Sequence, residues 1–399
     1  MIAKPARRLD SVEEYYFSVK LKQIDRMNRR GAQVLNLGIG SPDLDPAEEV
    51  LEVLSKEAIQ SGNHAYQSYR GLPTLRQAFA KWYARYFDVR LDPETEVLPL
   101  MGSKEGLMHL AMSFLEKGDK VLVPNPAYPA YAAVSRLAGA EVVYYDLKAE
   151  HGWRPDFSSL EQLDLRRVKL MWLNYPNMPT GARATKELFS RWIAFAERHK
   201  ILLVHDNPYA FILNEPLSML SLPGAKRVVL ELNSLSKSHN LAGWRVGVLA
   251  GAAPYLQTVL QFKSNMDSGM FKPLQLAAAK ALELGEAWYQ KQNDIYTKRR
   301  EKVFELLSVL GCTYDKDGGG LFVWARIPEG WKDAHELSDE LLHAARIFIT
   351  PGHIFGSGGQ RYLRISLCCS ESVLLEAIRR LKGVALSGGS RFVKNVNHG

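Results

Sequence analysis

Lys237 is the residue whose neighbours point most directly to chemistry. Two serines, Ser234 and Ser236, precede it, and Arg245 follows eight residues later. The apolar runs at 228–232 and 246–250 predict buried strands on either side, so the lysine would lie on a loop between them. A reactive amine flanked by hydroxyl and guanidinium groups suits pyridoxal phosphate (PLP), with a Schiff base at the amine and the phosphate among the polar groups. The alternative interpretation is a solvated lysine in a polar turn.

Asp206 is the second residue that suits this cofactor. It follows the apolar strand predicted at 201–205, at the carboxyl end where open α/β sheets place their ligands. A buried carboxylate stays ionised only beside a cation, and a protonated pyridine nitrogen is such a cation. Tyr209, three residues on, could reach the phenolic oxygen of the same ring. The alternative interpretation is a helix N-cap aspartate with a packing tyrosine.

A phosphate site is indicated by the segment Gly102-Ser103-Lys104, which follows a predicted strand and opens a predicted helix. Small residues there let backbone amides approach a phosphate, and the helix N-terminus favours its charge. Such junctions are common, but with Arg245 and the two serines of the lysine segment this one would complete a phosphate cup. Tyr128 lies in a proline-rich turn and is suited to stack against the pyridine face, or else it is a core residue.

Arg364 is the candidate for binding a substrate carboxylate. It lies in an alternating strand pattern at 361–367, which places Tyr362, Arg364 and Ser366 on one face and the apolar residues on the other. An arginine that faces inward from a strand needs an anion, and an α-carboxylate would bind it with two hydrogen bonds. The alternatives are an internal ion pair or an exposed edge position.

The composition is that of a globular protein. With 399 residues, 46% hydrophobic and 24% charged, the chain is long enough for two domains. No apolar run is long enough for a membrane span, and no apolar stretch behind the N-terminus indicates a secretory signal. Cys312, Cys368 and Cys369 fit neither a disulfide framework nor a metal site, which favours a reducing cytoplasm. The net charge of +8 is spread along helical segments among glutamates, which argues against nucleic-acid binding.

Strand-like and helical runs alternate from about residue 46 to 285, which predicts an α/β protein with a mainly parallel sheet covered by helices on both faces. A long helix at about 287–310 follows, and then an α+β region. We expect a large cofactor-binding domain at 47–286 and a discontinuous small domain formed by 1–46 and 287–399. The tail after Gly383 is rich in glycine and serine and is expected to be loosely ordered.

Over nearly its whole length the chain resembles the fold type I, PLP-dependent aminotransferases of class I/II. The resemblance rests on motifs that occur in the order typical of that family. They are Gly40-Ser-Pro-Asp43, Tyr66 before Gly71-Leu-Pro-Thr-Leu-Arg76, Gly102-Ser-Lys104, Asn125-Pro-Ala-Tyr128, Pro179-Thr-Gly181, Asp206-Asn-Pro-Tyr209, Ser234-Leu-Ser-Lys237, Arg245 and Arg364. It implies a large domain with a mainly parallel seven-stranded sheet between helices and a smaller α+β domain.

The resemblance also implies a role for each matching residue. Lys237 forms the Schiff base, Asp206 pairs with the pyridine nitrogen, Tyr209 bonds the ring oxygen and Tyr128 stacks on the ring. The phosphate is held by Gly102, Ser103, Lys104, Ser234, Ser236 and Arg245. The α-carboxylate of the substrate is bound by Arg364 and by the backbone of Gly40. Asn174 is a further substrate-binding residue. Tyr66 is expected to reach the phosphate in the neighbouring subunit, which implies a homodimer. No metal is implied.

Three further stretches are Tyr15-Tyr-Phe17, Gly102-Ser-Lys-Glu-Gly106 and Ser264-Asn-Met-Asp-Ser-Gly269. With them, the chain most resembles the LL-diaminopimelate aminotransferase type within this family. In that type the residues matching Tyr15 and Lys104 bind the far end of the substrate, and the residue matching Asn265 lies near the cofactor. One position departs from the family pattern, because Met178 stands where an asparagine usually precedes Pro-Thr-Gly. A thioether cannot donate a hydrogen bond to the ring oxygen, unless Asn174 or Asn177 takes that place.

The expected reaction is ping-pong transfer of an α-amino group from an amino acid to a 2-oxo acid, with 2-oxoglutarate as a possible acceptor. A β-elimination lyase on the same scaffold is the main alternative, which the departure at Met178 keeps open. A non-catalytic PLP-sensing domain is a remote alternative, since the aminotransferase pattern begins about fifteen residues into the chain.

Overall fold

The computed structural model describes residues 2–386, and its elements alternate as the sequence predicts for most of the chain. The α-helices are α1 Tyr16–Arg29, α2 Glu48–Ala58, α3 Pro73–Phe87, α4 Ser103–Phe114, α5 Pro129–Leu137, α6 Phe157–Glu161, α7 Lys186–His199, α8 Leu235–Ser238, α9 Ala253–Lys263, α10 Lys272–Ala281, α11 Glu286–Val309, α12 Ala334–Glu340 and α13 Glu371–Lys382. The strands are β1 Leu35–Asn36, β2 Val97–Leu100, β3 Lys120–Asn125, β4 Glu141–Lys148, β5 Arg154–Pro155, β6 Val168–Asn174, β7 Leu202–Asp206, β8 Val229–Ser234, β9 Gly247–Gly251, β10 Thr313–Tyr314, β11 Phe322–Arg326, β12 Ile347–Phe348, β13 Thr350–Pro351 and β14 Tyr362–Ser366.

The large sheet has the strand order β2-β9-β8-β7-β6-β3-β4-β5. Strands β8, β7, β6, β3 and β4 are parallel neighbours, and β9 runs antiparallel to both β8 and β2. The fold type I prediction has seven strands, whereas this sheet has an eighth, β5, antiparallel to β4 at the edge. The chain turns back through Gly152 and Trp153, both with positive φ, and pairs only two residues. Two residues are too few to show the alternation that identifies a strand in a sequence.

Helices cover both faces of this sheet. Within β6, Leu170 and Trp172 join one apolar cluster, with α4, α5 and α9, while Met171 and Leu173 join the other, with α3, α7 and α10. Because successive strand residues point to opposite faces, both faces of the strand must be apolar. The central strands are therefore buried on both sides, and their polar carboxyl ends are left to form a site.

A smaller antiparallel sheet, β10-β11-β14-β13, packs with α11 and α13 around a separate apolar cluster. The N-terminal strand β1 pairs with β12, Leu35 opposite Ile347, which joins the start of the chain to its last third. This pairing supports the discontinuous small domain, whose boundaries at residues 46 and 287 remain a prediction.

Two local predictions differ from the structure. Lys237 lies on the one-turn helix α8 and not on a loop, because the Ser234 side chain caps that helix by accepting from the Ser236 amide. The sequence pattern at residues 12–30 predicts a helix over that whole range, whereas α1 begins only at Tyr16. The tail after Gly383 lies almost entirely outside the described residues.

The structure also describes the three cysteines and the length and hydrophobicity of the helices. Cys312, Cys368 and Cys369 are all free thiols. Among residues 2–386, no helix is both long and apolar enough to cross a membrane.

Candidate active site

A cavity of about 600 Å³ opens at the carboxyl ends of β6, β7 and β8, beneath α1 and β14. Thirteen of the residues singled out in the sequence line it. They are Tyr15, Gly40, Ser103, Lys104, Tyr128, Asn174, Asp206, Tyr209, Ser234, Ser236, Lys237, Arg245 and Arg364.

Lys237 reaches into this cavity from α8. Its Nζ donates to the carbonyl oxygen of Gly40 at 2.5 Å, so the two predicted site residues are in direct contact. Burial lowers the pKa of the Lys237 amine, and the nearby cations Arg364 and Arg245 act in the same direction. A lowered pKa increases the unprotonated fraction of the amine, which is the nucleophilic and basic form.

Asp206, the last residue of β7, presents one free carboxylate oxygen. Its Oδ2 accepts from the Tyr131 hydroxyl at 2.8 Å, and its backbone carbonyl accepts from Asn174 Nδ2 at 2.7 Å. Its Oδ1 is buried and has no hydrogen-bond partner within the described chain. Burial raises the pKa of the Asp206 carboxyl to about 6, although the hydrogen bond from Tyr131 lowers it. A buried carboxylate oxygen without a partner is stabilised by a cation or a hydrogen-bond donor. A pyridinium N–H is both.

The predicted phosphate cup is assembled around Arg245. Gly102 has φ of +85°, and a Cβ there would clash with Arg245 Nη2, so only glycine allows this approach. Arg245 Nη1 donates to Ser236 Oγ at 3.3 Å, and α4 begins at Ser103 beside them. Burial lowers the pKa of the Lys104 amine, and Arg245 adds to the effect. Amides at a helix start, hydroxyls and cations together fit the phosphate of PLP.

Two tyrosines line the part of the cavity where the pyridine ring would lie. Tyr128 packs edge-on against Tyr131, with ring centroids 5.6 Å apart, and Tyr209 packs edge-on against Phe322 at 5.9 Å. Burial raises the pKa of both hydroxyls, Tyr128 and Tyr209, so both stay protonated and can donate. Their stacking and hydrogen-bonding roles remain predictions.

Arg364 is buried without a carboxylate partner. Its guanidinium lies 5.2, 4.0 and 4.7 Å from the ring centroids of Phe17, Phe322 and Phe355. Nη2 donates to the carbonyl of Gly38 at 2.6 Å, while no ion pair to Arg364 occurs among residues 2–386. Burial lowers the pKa of Arg364 to about 10. In the part of the chain that the structure describes, this buried cation contacts only aromatic faces, a thioether and one carbonyl, so it can still bind an anion. A substrate carboxylate is such an anion.

Met178 lies directly against Arg364, whose Nη1 is 3.3 Å from the thioether sulfur. Both nearby asparagines are held by hydrogen bonds. Asn174 accepts from the Met178 amide at 2.7 Å and donates to the Asp206 carbonyl, while Asn177 accepts from Thr180 Oγ1 at 2.8 Å and donates to the Asn174 carbonyl. Each amide nitrogen thus uses one of its two N–H groups, and Asn174, which lines the cavity, has a second N–H for a ligand.

The predicted far end of the substrate site contains Tyr15 and Lys104, whose Nζ lies 4.5 Å from the Tyr15 ring centroid. Two further predicted residues are outside the cavity. Asn265 follows α9 and donates to the carbonyl of Gln261, and Tyr66 is 91% exposed. Both would need a second subunit in order to contribute to a site.

The sequence analysis missed three aromatic residues of the cavity. Tyr131 binds Asp206, while Phe17 and Phe322 flank Arg364. Tyr131 could have been found, because it follows Tyr128 by three residues and shares its side of a helix. The phenylalanines could not, because they come from distant segments of the chain.

Comparisons with known proteins identify the family. The model of aminotransferase class I and II matches residues 32–381. This chain belongs to that family. LL-diaminopimelate aminotransferase from Dehalococcoides mccartyi is 41% identical over 381 residues, which cover 95% of this chain and 98% of the relative. LL-diaminopimelate aminotransferase from Oleidesulfovibrio alaskensis is 39% identical over 94% of this chain and 98% of its own length.

Solved structures agree with the family assignment. Substrate-bound BacF from Bacillus subtilis superimposes with a TM-score of 0.92 at 37% identity, covering 98% of this chain and all of its own. A probable N-succinyldiaminopimelate aminotransferase from Thermus thermophilus superimposes with a TM-score of 0.85 at 33% identity, over 92% and 99% of the two chains. The predictions of a fold type I aminotransferase, of PLP and of amino acid and 2-oxo acid substrates are confirmed. The elimination lyase is not favoured.

Proposed function

We propose that the cavity is the aminotransferase active site and that Lys237, Asp206 and Arg364 carry the reaction. The observation that supports this most is that three separate elements, α8, β7 and β14, bring an amine, a free carboxylate oxygen and an unpaired guanidinium to one cavity. A protein without a ligand there would have to bury these groups uncompensated, at considerable cost in stability.

Bound PLP supplies a ring that withdraws electrons from the substrate Cα. Asp206 Oδ1 would hold the proton on the ring nitrogen. Lys237 Nζ would attach the cofactor and later move the proton released from Cα, for which its lowered pKa suits it. Arg364 would fix the α-carboxylate close to the ring plane, so that the Cα–H bond is the one exposed for cleavage.

Labelling of the attached lysine tests this assignment. Reduction of the holoenzyme with borohydride, followed by peptide mapping, is expected to place the cofactor on Lys237. The cavity has a second lysine, Lys104, which serves as an internal control because it lines the same cavity. Label on Lys104, or transamination at the normal rate by Lys237→Ala, would overturn the assignment.

We propose further that the amino donor is LL-diaminopimelate and the setting amino acid biosynthesis. The support is that relatives about 40% identical over nearly their full length carry that name, and that Lys104 and Tyr15 lie together at the far side of the cavity. Lys104 can bind a distal carboxylate. Asp206 is the only acidic residue among the lining residues, so a distal ammonium would need a counter-charge from a second subunit.

A panel of amino donors tests the substrate. LL-Diaminopimelate is expected to give a higher kcat/KM than methionine or phenylalanine, and Lys104→Met to lower it for diaminopimelate by about tenfold or more while leaving monocarboxylic donors less affected. Activity confined to monocarboxylic donors would contradict the proposed substrate but not transamination. Release of ammonia without a 2-oxo acid would instead indicate elimination.

We propose that the active unit is a homodimer in the cytoplasm. Tyr66, Tyr69, Met266 and Phe271 are exposed, and their two loops touch, because Gly269 lies against the carbonyls of Gln67 and Ser68. We call these four side chains the Tyr66 patch. An exposed apolar patch of this kind is typical of a subunit interface, and it carries the residue expected to reach a neighbouring phosphate.

A further inference from the structure

Tyr131 binds the carboxylate of Asp206 from the wall of the cavity. Its hydroxyl donates to Oδ2 at 2.8 Å, and both side chains are buried. Because Oδ2 is engaged in this way, Oδ1 is the oxygen left without a partner among the described residues. The protein thus holds one oxygen of Asp206 and leaves the other for a ligand.

The position of the Tyr131 ring is fixed by its neighbours. The ring stacks on Trp172, with centroids 5.4 Å apart and planes 9° apart. Trp172 Nε1 donates to Ser135 Oγ at 3.1 Å, and Ser135 Oγ donates back to the Tyr131 carbonyl at 2.7 Å. A closed arrangement of a stacked pair and two hydrogen bonds aims the hydroxyl at Asp206 before any ligand binds.

The electrostatics of the pair make the hydroxyl a permanent donor. Burial and the adjacent Asp206 raise the pKa of Tyr131 well above its usual value, so the hydroxyl keeps its proton at any working pH. Burial also raises the pKa of Asp206, whereas the bond from Tyr131 lowers it. The hydroxyl therefore acts against desolvation and favours the carboxylate form.

We propose that Tyr131 is a positioning residue that keeps Asp206 ionised and turned so that Oδ1 meets the ring nitrogen of bound PLP. This inference rests on the role of Asp206 under the proposed function. Without the hydroxyl, the shared proton would move from the ring nitrogen to the carboxylate, because the carboxylate would lose its strongest stabilising contact. The ring would then withdraw electrons less strongly, and the cofactor would bind less tightly.

The test uses Tyr131→Phe, which keeps the stacked ring and removes only the hydroxyl. The enzyme is loaded with PLP labelled with ¹⁵N in the ring, and the nitrogen chemical shift reports its protonation. The signal is expected to move toward the unprotonated value, and the Kd for PLP to rise by about tenfold or more, as the loss of a hydrogen bond to a charged group predicts. An unchanged nitrogen signal and Kd would overturn the inference.

Tyr145→Phe is the matched control. Tyr145 is also a buried tyrosine, and its hydroxyl donates at 2.9 Å to the carbonyl of Trp172, so it belongs to the same packing but does not touch Asp206. Its nitrogen signal and Kd are expected to stay as in the unsubstituted enzyme. Equal effects in Tyr131→Phe and Tyr145→Phe would show a general packing defect and overturn the specific role of Tyr131.

Asp206→Ala, measured in parallel, distinguishes failure of the role of Tyr131 from failure of the role of Asp206. If Asp206→Ala loses the protonated signal while Tyr131→Phe keeps it, only the role of Tyr131 fails; if neither variant changes it, the role of Asp206 fails too. Should Tyr131→Phe not fold, fluorotyrosine introduced at position 131 provides a more acidic donor of nearly the same size. Tighter PLP binding is then expected, and unchanged binding would overturn the inference.

Discussion

Met178 is the single residue at which this site departs most from the pattern of its family. Its buried thioether contacts Arg364 and cannot donate a hydrogen bond to the cofactor's ring oxygen. Tyr209 is then a predicted donor to that oxygen, and Asn174 and Asn177 each already donate one amide N–H to a backbone carbonyl. The phenolic oxygen of the ring is therefore expected to be less stabilised as an anion than in enzymes with asparagine at this position.

The substitution Met178→Asn tests this consequence. The restored donor should stabilise the anionic ring oxygen and lower the pKa of the cofactor–lysine linkage by about one unit, since one hydrogen bond is worth about 1.4 kcal/mol. The pKa is measured by titrating the visible absorbance of the holoenzyme with pH. Met178→Leu is the control, because it removes the sulfur without adding a donor and should leave this pKa unchanged. Equal pKa values in both variants would contradict the explanation.

At the scale of elements, the site depends on the close approach of two segments, the start of α4 and the turn after α8. Gly102 allows it, with φ of +85°, ψ of 153° and Arg245 against the position where a Cβ would lie. This conformation is almost exclusive to glycine, and another residue there is strained by about 1–3 kcal/mol. The proposed phosphate cup therefore depends on a position without a side chain.

Gly102→Ala is therefore expected to displace Arg245 and raise the Kd for PLP by about tenfold or more, with a modest loss of thermal stability. Cofactor titration of the apoenzyme and thermal unfolding measure the two effects. Gly243→Ala is the matched control, since it lies in the turn just before Arg245 and a Cβ there meets no atom within 4 Å. If both alanines weaken PLP binding equally, the contact with Arg245 is not the cause.

The elements that the sequence predicts well are those with a long, regular pattern. The apolar run at 168–174 predicts a strand and the pattern at 186–199 predicts a helix, and β6 and α7 have these bounds. Each is bounded by clear caps or polar residues and packs through a continuous apolar pattern. The edge strand β5 and the one-turn helix α8 are too short to carry a period. The contact of Tyr131 with Asp206 joins residues 75 positions apart, which no local pattern encodes. The chemistry of the site could thus be predicted, but not the side chains that support it.

At the scale of the whole molecule, the two ends of the chain converge on the cavity. Phe17 from α1 and Arg364 from β14 are in contact there, and Lys237 from α8 touches the carbonyl of Gly40. The proposed small domain therefore supplies the substrate side, and the large domain the cofactor side. Tyr66, a predicted cofactor ligand, does not line this cavity and is exposed to solvent.

The proposed homodimer resolves this separation, and mixed dimers test it. Lys237→Ala and Tyr66→Ala subunits are each impaired alone, but in a mixed dimer one of the two sites combines an intact Lys237 with an intact Tyr66 from the other subunit. Random reassociation makes half of the molecules mixed, so about a quarter of the unsubstituted activity should return, because two-fold symmetry exchanges the same residue between both sites. Activity is measured after unfolding and refolding the two variants together.

The control mixes Lys237→Ala with Asp206→Ala, two residues of the same cavity. Here each mixed dimer has one defective residue in either site, so no activity should return above that of the separate variants. Recovery only in the Tyr66 mixture locates Tyr66 in the opposite site, since a residue serving its own subunit could not be supplied by the partner. An absence of recovery in both mixtures would mean that Tyr66 does not complete a neighbouring site, and the exposed Tyr66 patch would then need another explanation.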